Sequence, residues 1–191
     1  MMPRRLDIGF LLDQQWHALR GEMETSKRPA LSALARVLAD SATPYAIIGG
    51  VALQVHRAEP RTTLDIDVAV LDLAAIPRAE LRAANFVPVG QFAHSENWRG
   101  PEGVPVQFTA DPALAQALVR ALATELDGVP LRVIGRSDLF HEKLRAGSDP
   151  ARRRSKRLQD LADVQALLEE TPELGLELNT EERAVLDALP R

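Results

Sequence analysis

The sequence predicts an α/β (α+β) protein with a helical C-terminal part, on three observations. A short apolar run, Tyr45–Ile48, is halted by Gly49-Gly50 and followed by Val51, Ala52, Leu53 and Val55 at helical spacing. Apolar and polar residues then alternate from Leu64 to Leu71, the two-residue period of a strand. Elsewhere apolar residues recur three and four apart, above all toward the C-terminus. With 191 residues, 46% of them hydrophobic and 26% charged, the chain has ordinary globular composition. We expect a single domain over residues 1–170, its core spanning roughly 30–135 and its C-terminal helices roughly 136–170, and a short helical tail over 171–191.

Taken in order, residues 1–28 read as an N-terminal helix with Phe10, Leu11, Trp16 and Leu19 as apolar positions and a polar break from Gly21 to Arg28. Pro29 suits the first turn of a second helix whose Leu31, Leu34, Ala35 and Leu38 face the core, ending between Asp40 and Pro44. After the strand Tyr45–Ile48, the glycines occupy a strand-to-helix turn, and His56 and Arg57 close the helix, His56 as a structural contact. In the strand Leu64–Leu71, Leu64, Ile66 and Val68 are expected inward and Asp65 and Asp67 together on the other face.

Pro77 opens a helix through Leu81, Ala83 and Ala84, and Phe86–Val89 completes a βαβ-like passage. Phe92–Arg99, the turn Gly100–Gly103 and the strand Val104–Phe108 make a hairpin, with His94, Ser95, Asn97 and Arg99 either lining a cleft or forming a solvated edge. Pro112 begins an apolar helix through Leu122. Asp127-Gly128 is a turn before the strand Val129–Ile134, where Pro130 suggests a sheet edge. Ser137 reads as the N-cap of a helix with Leu139, Phe140, Lys143 and Leu144. The cations Arg152, Arg153, Arg154, Lys156 and Arg157 open a last long helix with a buried stripe of Leu158, Leu161, Val164, Leu167 and Leu168. Thr171–Gly175 is a linker, and Asn179 caps a short helix through Leu186.

Several function classes drop out. The chain has no cysteine, so disulfides and thiolate zinc sites are excluded. No run of eighteen apolar residues occurs, and the N-terminus lacks the apolar core of a signal peptide, which leaves a cytoplasmic protein as the expectation. A net charge of −4 argues against a broadly basic surface, so a nucleic-acid partner would meet a local patch.

The chemistry concentrates between Gly49 and Asp67. Glycines at a helix start admit close approach to unpaired N–H groups, which suits a phosphate. Two carboxylates side by side on a strand repel each other unless a hard cation lies between them, and Mg²⁺ binds through one or two carboxylates plus substrate phosphates. Arg61, Thr62 and Thr63 add a cation and hydroxyls nearby.

Gly49-Gly50, a helix, and Arg61-Thr-Thr-Leu-Asp65-Ile-Asp67 resemble the signature of the DNA polymerase beta-type nucleotidyltransferases, and most closely the AbiEii-type members of bacterial toxin–antitoxin and phage-defence systems. The resemblance implies a small mixed sheet flanked by helices, and an enzyme moving a nucleoside monophosphate from a nucleoside triphosphate to a hydroxyl of RNA, tRNA or protein. It further implies Mg²⁺ on Asp65 and Asp67, nucleotide contacts from Gly49, Gly50, Arg61, Thr63 and Lys143, and a cognate antitoxin as partner. Lys143 followed by Asp160 and Asp163 matches the AbiEii-type pattern of a helical lysine before an aspartate-bearing helix, with Asp160 orienting Lys143 or a base. Two positions depart from it: Gln107 stands where many relatives carry a third carboxylate, with Asp111 the nearest substitute, and Gln159 stands where a lysine is common. Glutamine cannot act as a base near neutral pH. These departures keep a second reading open, an inactive relative that binds nucleotide, RNA or a protein partner.

Overall fold

The computed structural model describes residues 3–20 and 26–189, and the chain divides into two units, one up to Gly135 and one from Arg136. The first unit carries all seven strands: β1 (Tyr45–Ile48), β2 (Ile66–Val70), β3 (Val87–Gln91), β4 (Ser95–Arg99), β5 (Pro105–Thr109), β6 (Leu122–Leu126) and β7 (Val129–Val133). They form one mixed sheet in the order β3-β4-β5-β2-β1-β7-β6. β1 runs antiparallel to β2 and parallel to β7, and β2 runs parallel to β5. Central β1 and β2 are buried along nearly their whole length, as strands covered on both faces must be. Ile47, Ile66, Val68 and Phe108 are sealed from solvent, and each such side chain contributes about 1.5–3 kcal/mol by leaving water.

Helix α1 (Pro3–Leu19) packs on α3 (Gly49–His56), and α2 (Arg28–Asp40) packs on β7. α2 buries Leu31, Leu34, Ala35 and Leu38 as expected from their spacing. α1 does not bury the expected set. Leu6, Gly9, Phe10 and Asp13 face inward, one helical stripe, while Leu11, Trp16 and Leu19 are exposed. The stripe was masked in the sequence because one of its members is an aspartate. Most of the expected polar break after α1 lies outside the described residues, and Ser26 and Lys27, within it, are buried.

The helix-like stretch after β5 is shorter than its apolar pattern suggests. A 3₁₀ turn at Pro112–Leu114 and α5 (Ala115–Val119) end before Leu122, which belongs to β6 and is exposed. Asp127 and Gly128 both adopt positive φ, 54° and 76°, as a two-residue hairpin between β6 and β7 requires. β7 is an interior strand, not an edge. Its register with β1 is Ile47↔Val133, at the end of β7, so Pro130 lies outside the paired stretch and its missing N–H breaks no bond there. The Tyr45 hydroxyl instead bridges this stretch, donating to Pro130 O and accepting from Arg132 N. β2 also begins later than expected: Leu64 and Leu71 lie outside it, and Leu64 is 41% exposed, so it does not join Ile66 and Val68 in the core. α4 (Arg78–Ala83) follows Pro77 and leads to β3.

The second unit is helical: α6 (Arg136–Ser148), α7 (Arg154–Glu170), a 3₁₀ turn at Pro172–Leu176 and α8 (Thr180–Asp187). Asn179 and Glu182 form a reciprocal capping box at α8, the expected start of that helix. Ser137 sits in the first turn of α6 and donates its hydroxyl to Glu177, so it is not the cap. In α7 Val164 and Leu167 are buried as expected, but Leu158 is 56% exposed, and Asp160 and Asp163 take inward positions. A lysine on α6 makes that inversion affordable.

Candidate active site

The candidate site of the first unit forms where β1 ends and β2 begins. Gly49 opens α3 at φ +62°, a conformation that disfavours any side chain. A Cβ on Gly49 would stand 2.1 Å from Asp67 Oδ2, and one on Gly50 would stand 2.3 Å from Thr63 Oγ1. The missing side chains are therefore replaced by the chain's own carboxylate and hydroxyl. The glycine pair brings β2 and the loop ahead of it onto the start of α3, with Ile48 in register with Asp67.

Asp65 stands one residue before β2 and Asp67 inside it, both half-buried. Thr63 donates its hydroxyl to Asp65 Oδ1 at 2.9 Å. Asp65 also lines a groove of about 290 Å³ with Val89, Asn97, Arg99, Pro105 and Gln107. Across the sheet Asp67 is paired with Gln107, and Gln107 with Asn97. Gln107 thus occupies the strand position beside Asp67. Asp111 does not replace it, because it lies beyond the end of β5 and caps the following 3₁₀ turn, accepting from Ala113 N at 2.9 Å.

Sequence reasoning missed the residues that hold the loop before Asp65. Asp13 of α1 and Lys27, both buried, form an ion pair. Lys27 Nζ donates to Thr63 O at 2.7 Å, and Asp13 Oδ1 accepts from Thr63 N at 3.1 Å. Burial holds the Lys27 ammonium below its ordinary pKa despite the pull of Asp13. Gln54, sealed from solvent, donates to Arg61 O at 3.0 Å. His56 is structural as expected, its Nε2 2.6 Å from Ile134 O.

A family model described as "Nucleotidyl transferase AbiEii toxin, Type IV TA system" matches residues 32–190. The chain belongs to the AbiEii nucleotidyltransferase family. No curated protein matches it. Among solved structures, the chain is similar to an antigenic nucleotidyltransferase-like protein from Paracoccidioides brasiliensis, at 22% identity over 85% of this chain and 87% of the other, with a TM-score of 0.57. It is similar to the antibiotic-resistance factor ANT(2″)-Ia, at 14% identity over 92% and 91%, TM-score 0.53. Megavirus polyadenylate synthase shares the fold at 12% identity over 87% of this chain but 36% of its own length, TM-score 0.58. These likenesses bear out the expected nucleotidyltransferase fold, a mixed sheet with flanking helices.

In this AbiEii family member the second unit holds the remaining expected residues. Lys143 Nζ lies 2.7 Å from Asp160 Oδ1 and 3.1 Å from Asp163 Oδ2, with all three side chains buried. Arg152 Nε, from the basic run, approaches the other oxygen of Asp160 at 2.9 Å. Burial alone would weaken the hold of Lys143 on its proton, but Asp163, Asp160 and Glu142 outweigh it and raise the pKa. Glu142 is the titratable neighbour that the sequence did not single out. Its Oε2 is buried without a hydrogen-bond partner, and desolvation raises its pKa against the opposing pull of Lys143.

The donor set of the first unit fits a hard divalent cation. Among the described residues no group of three or more histidine, cysteine or acidic side chains could hold a metal, and Asp65 and Asp67 would offer two carboxylates to one. That leaves coordination positions for water and phosphate, the arrangement Mg²⁺ prefers. Among the described residues no helix is long and apolar enough to cross a membrane.

Proposed function

We propose that this protein is a Mg²⁺-dependent nucleotidyltransferase that moves a nucleoside monophosphate from a nucleoside triphosphate to an acceptor hydroxyl on RNA, tRNA or protein. The observation that carries this reading is the placement of Asp67 against Gly49 and of Thr63, linked to Asp65, against Gly50. It puts the carboxylates beside the start of α3, where unpaired N–H groups and the positive dipole end favour phosphate oxygens. When bound, the cation would neutralise triphosphate charge and polarise the phosphoryl group. Asp65 and Asp67 would hold it, Gly49 and Gly50 would admit the phosphates, and Arg61 would add positive charge beside them. Lys143 serves as the fixed cation of the second unit, kept protonated by Asp163 and Asp160.

Phosphoryl transfer depends mainly on positioning and charge neutralisation, so the reading does not need Gln107 to act as a base. The AbiEii membership supports a cytoplasmic toxin role with a cognate antitoxin. A second reading, binding without turnover, is favoured by the amide of Gln107 beside Asp67. Incubation with each α-labelled nucleoside triphosphate, Mg²⁺ and total RNA and protein separates the two. Label should move to an acceptor with the native chain and not with Asp65→Ala/Asp67→Ala. Nucleotide binding with no labelled acceptor would favour the second reading.

A further inference from the structure

The loop between α3 and β2 supplies Asp65, yet none of residues 57–65 lies in a strand or helix. Thr63 therefore has no ladder partner for its main-chain N–H and C=O, and both groups are buried. They are taken by two side chains from far away in sequence: Asp13 Oδ1 accepts the N–H at 3.1 Å and Lys27 Nζ donates to the carbonyl at 2.7 Å. Asp13 and Lys27 are joined to each other, at 2% and 4% exposure. The Thr63 hydroxyl then donates to Asp65 Oδ1 at 2.9 Å, and its side chain lies against Gly50.

We propose that Asp13 and Lys27 are positioning residues for the carboxylate site, clamping the main chain of Thr63 and through its hydroxyl fixing where Asp65 stands. The proposal rests on the reading of Asp65 and Asp67 as a divalent-cation site. Three features carry it. The clamp grips both polar groups of one residue, so it sets orientation as well as position. Its platform is fixed separately, because Gly9 of α1 lies against Gln54 of α3, with a Cβ there only 2.5 Å from the Gln54 side chain, and Gln54 holds Arg61 O two residues away. Finally, a buried ion pair is a poor way to gain stability, since apolar side chains of similar size commonly serve as well or better. A charged pair spanning Thr63 is explained by what it orients. Both residues precede the stretch matched by the family model, which begins at residue 32.

The test uses the full chain and Mn²⁺ as probe, read by electron paramagnetic resonance, with thermal melting alongside. Removing a group that orients a metal ligand commonly weakens metal binding about 10–100-fold. Asp13→Leu/Lys27→Met, which keeps the volume but not the clamp, is expected to weaken Mn²⁺ binding at least about tenfold with Tm little changed. Asp13→Asn/Lys27→Gln, which keeps an acceptor and a donor for Thr63 without the charges, should restore most of that loss. Unchanged Mn²⁺ affinity in the apolar pair, while Asp65→Asn loses binding, overturns the clamp alone. Equal binding by the native chain and Asp65→Asn shows that the cation reading has failed, and the proposal falls with it. Should the apolar pair not fold, Thr63→Val cuts only the last link: weakened Mn²⁺ binding supports the clamp and native affinity overturns it.

Discussion

Two pairs of aspartates, each with its members two or three residues apart, meet opposite fates in this protein. Asp65 and Asp67 are half-buried at the start of a strand, and Asp65 lines an open groove. Asp160 and Asp163 lie on α7 at 3% exposure and close on Lys143, with Arg152 also on Asp160. Burying an ionised carboxylate is costly unless a cation offsets it or the group takes up a proton. The second pair is closed by Lys143 of its own unit, whereas Asp65 borders a groove. Under the proposed function Asp65 and Asp67 would meet an external cation, whereas Asp160 and Asp163 already hold an internal one.

The largest effect should separate the pairs by what is lost. Asp65→Asn or Asp67→Asn should reduce label transfer roughly thousandfold, the several kcal/mol attributed to a metal in the transition state, with Tm nearly unchanged. Loss of folding instead would make these carboxylates structural and erase the contrast. Lys143→Met should do the reverse and destabilise the protein by about 3–5 kcal/mol in urea unfolding, since it strands Asp160 and Asp163 without their ammonium. A smaller, mixed effect is expected for Gly49→Ala. Its φ of +62° costs about 1–2 kcal/mol for an alanine, and the new methyl must displace the Asp67 carboxylate, so transfer should fall more than stability.

The smallest effect concerns Glu142, beside the internal pair. Its folded-state pKa is raised by desolvation, so the folded chain holds this proton more tightly than the unfolded chain does. Stability should decline as pH rises from the ordinary glutamate range through that raised pKa. Glu142→Gln removes the decline: its Tm should exceed the native value at pH 7, and the gap should close in acid. A gap that stays constant with pH would show that the carboxyl is already compensated.

Much of the candidate site was legible because it is local. Gly49-Gly50 and Asp65-Ile-Asp67 are short motifs on adjacent elements, and their residue types suggest the proposed chemistry before any packing is known. Asp13 and Lys27 gave no such signal. An aspartate in a helix and a lysine near a helix start are ordinary surface residues until the fold brings Thr63 between them. Leu64 and Leu158 failed in the same way, as apolar residues in register that the ends of β2 and α7 leave in solvent. Glu142 was overlooked because its desolvation comes from its burial and has no trace in neighbouring sequence.

By itself the sequence determined the periodicities, and with them the helices, the central strands and the carboxylate motif, since side-chain spacing acts over a few residues. Tertiary structure alone decided which strand of the sheet neighbours which, placing Gln107 beside Asp67, and which charges are neutralised from within, pairing Lys143 with Asp160 and Asp163. Burial and pairing depend on contacts between distant segments, and no local pattern records the dielectric in which a charge will finally sit.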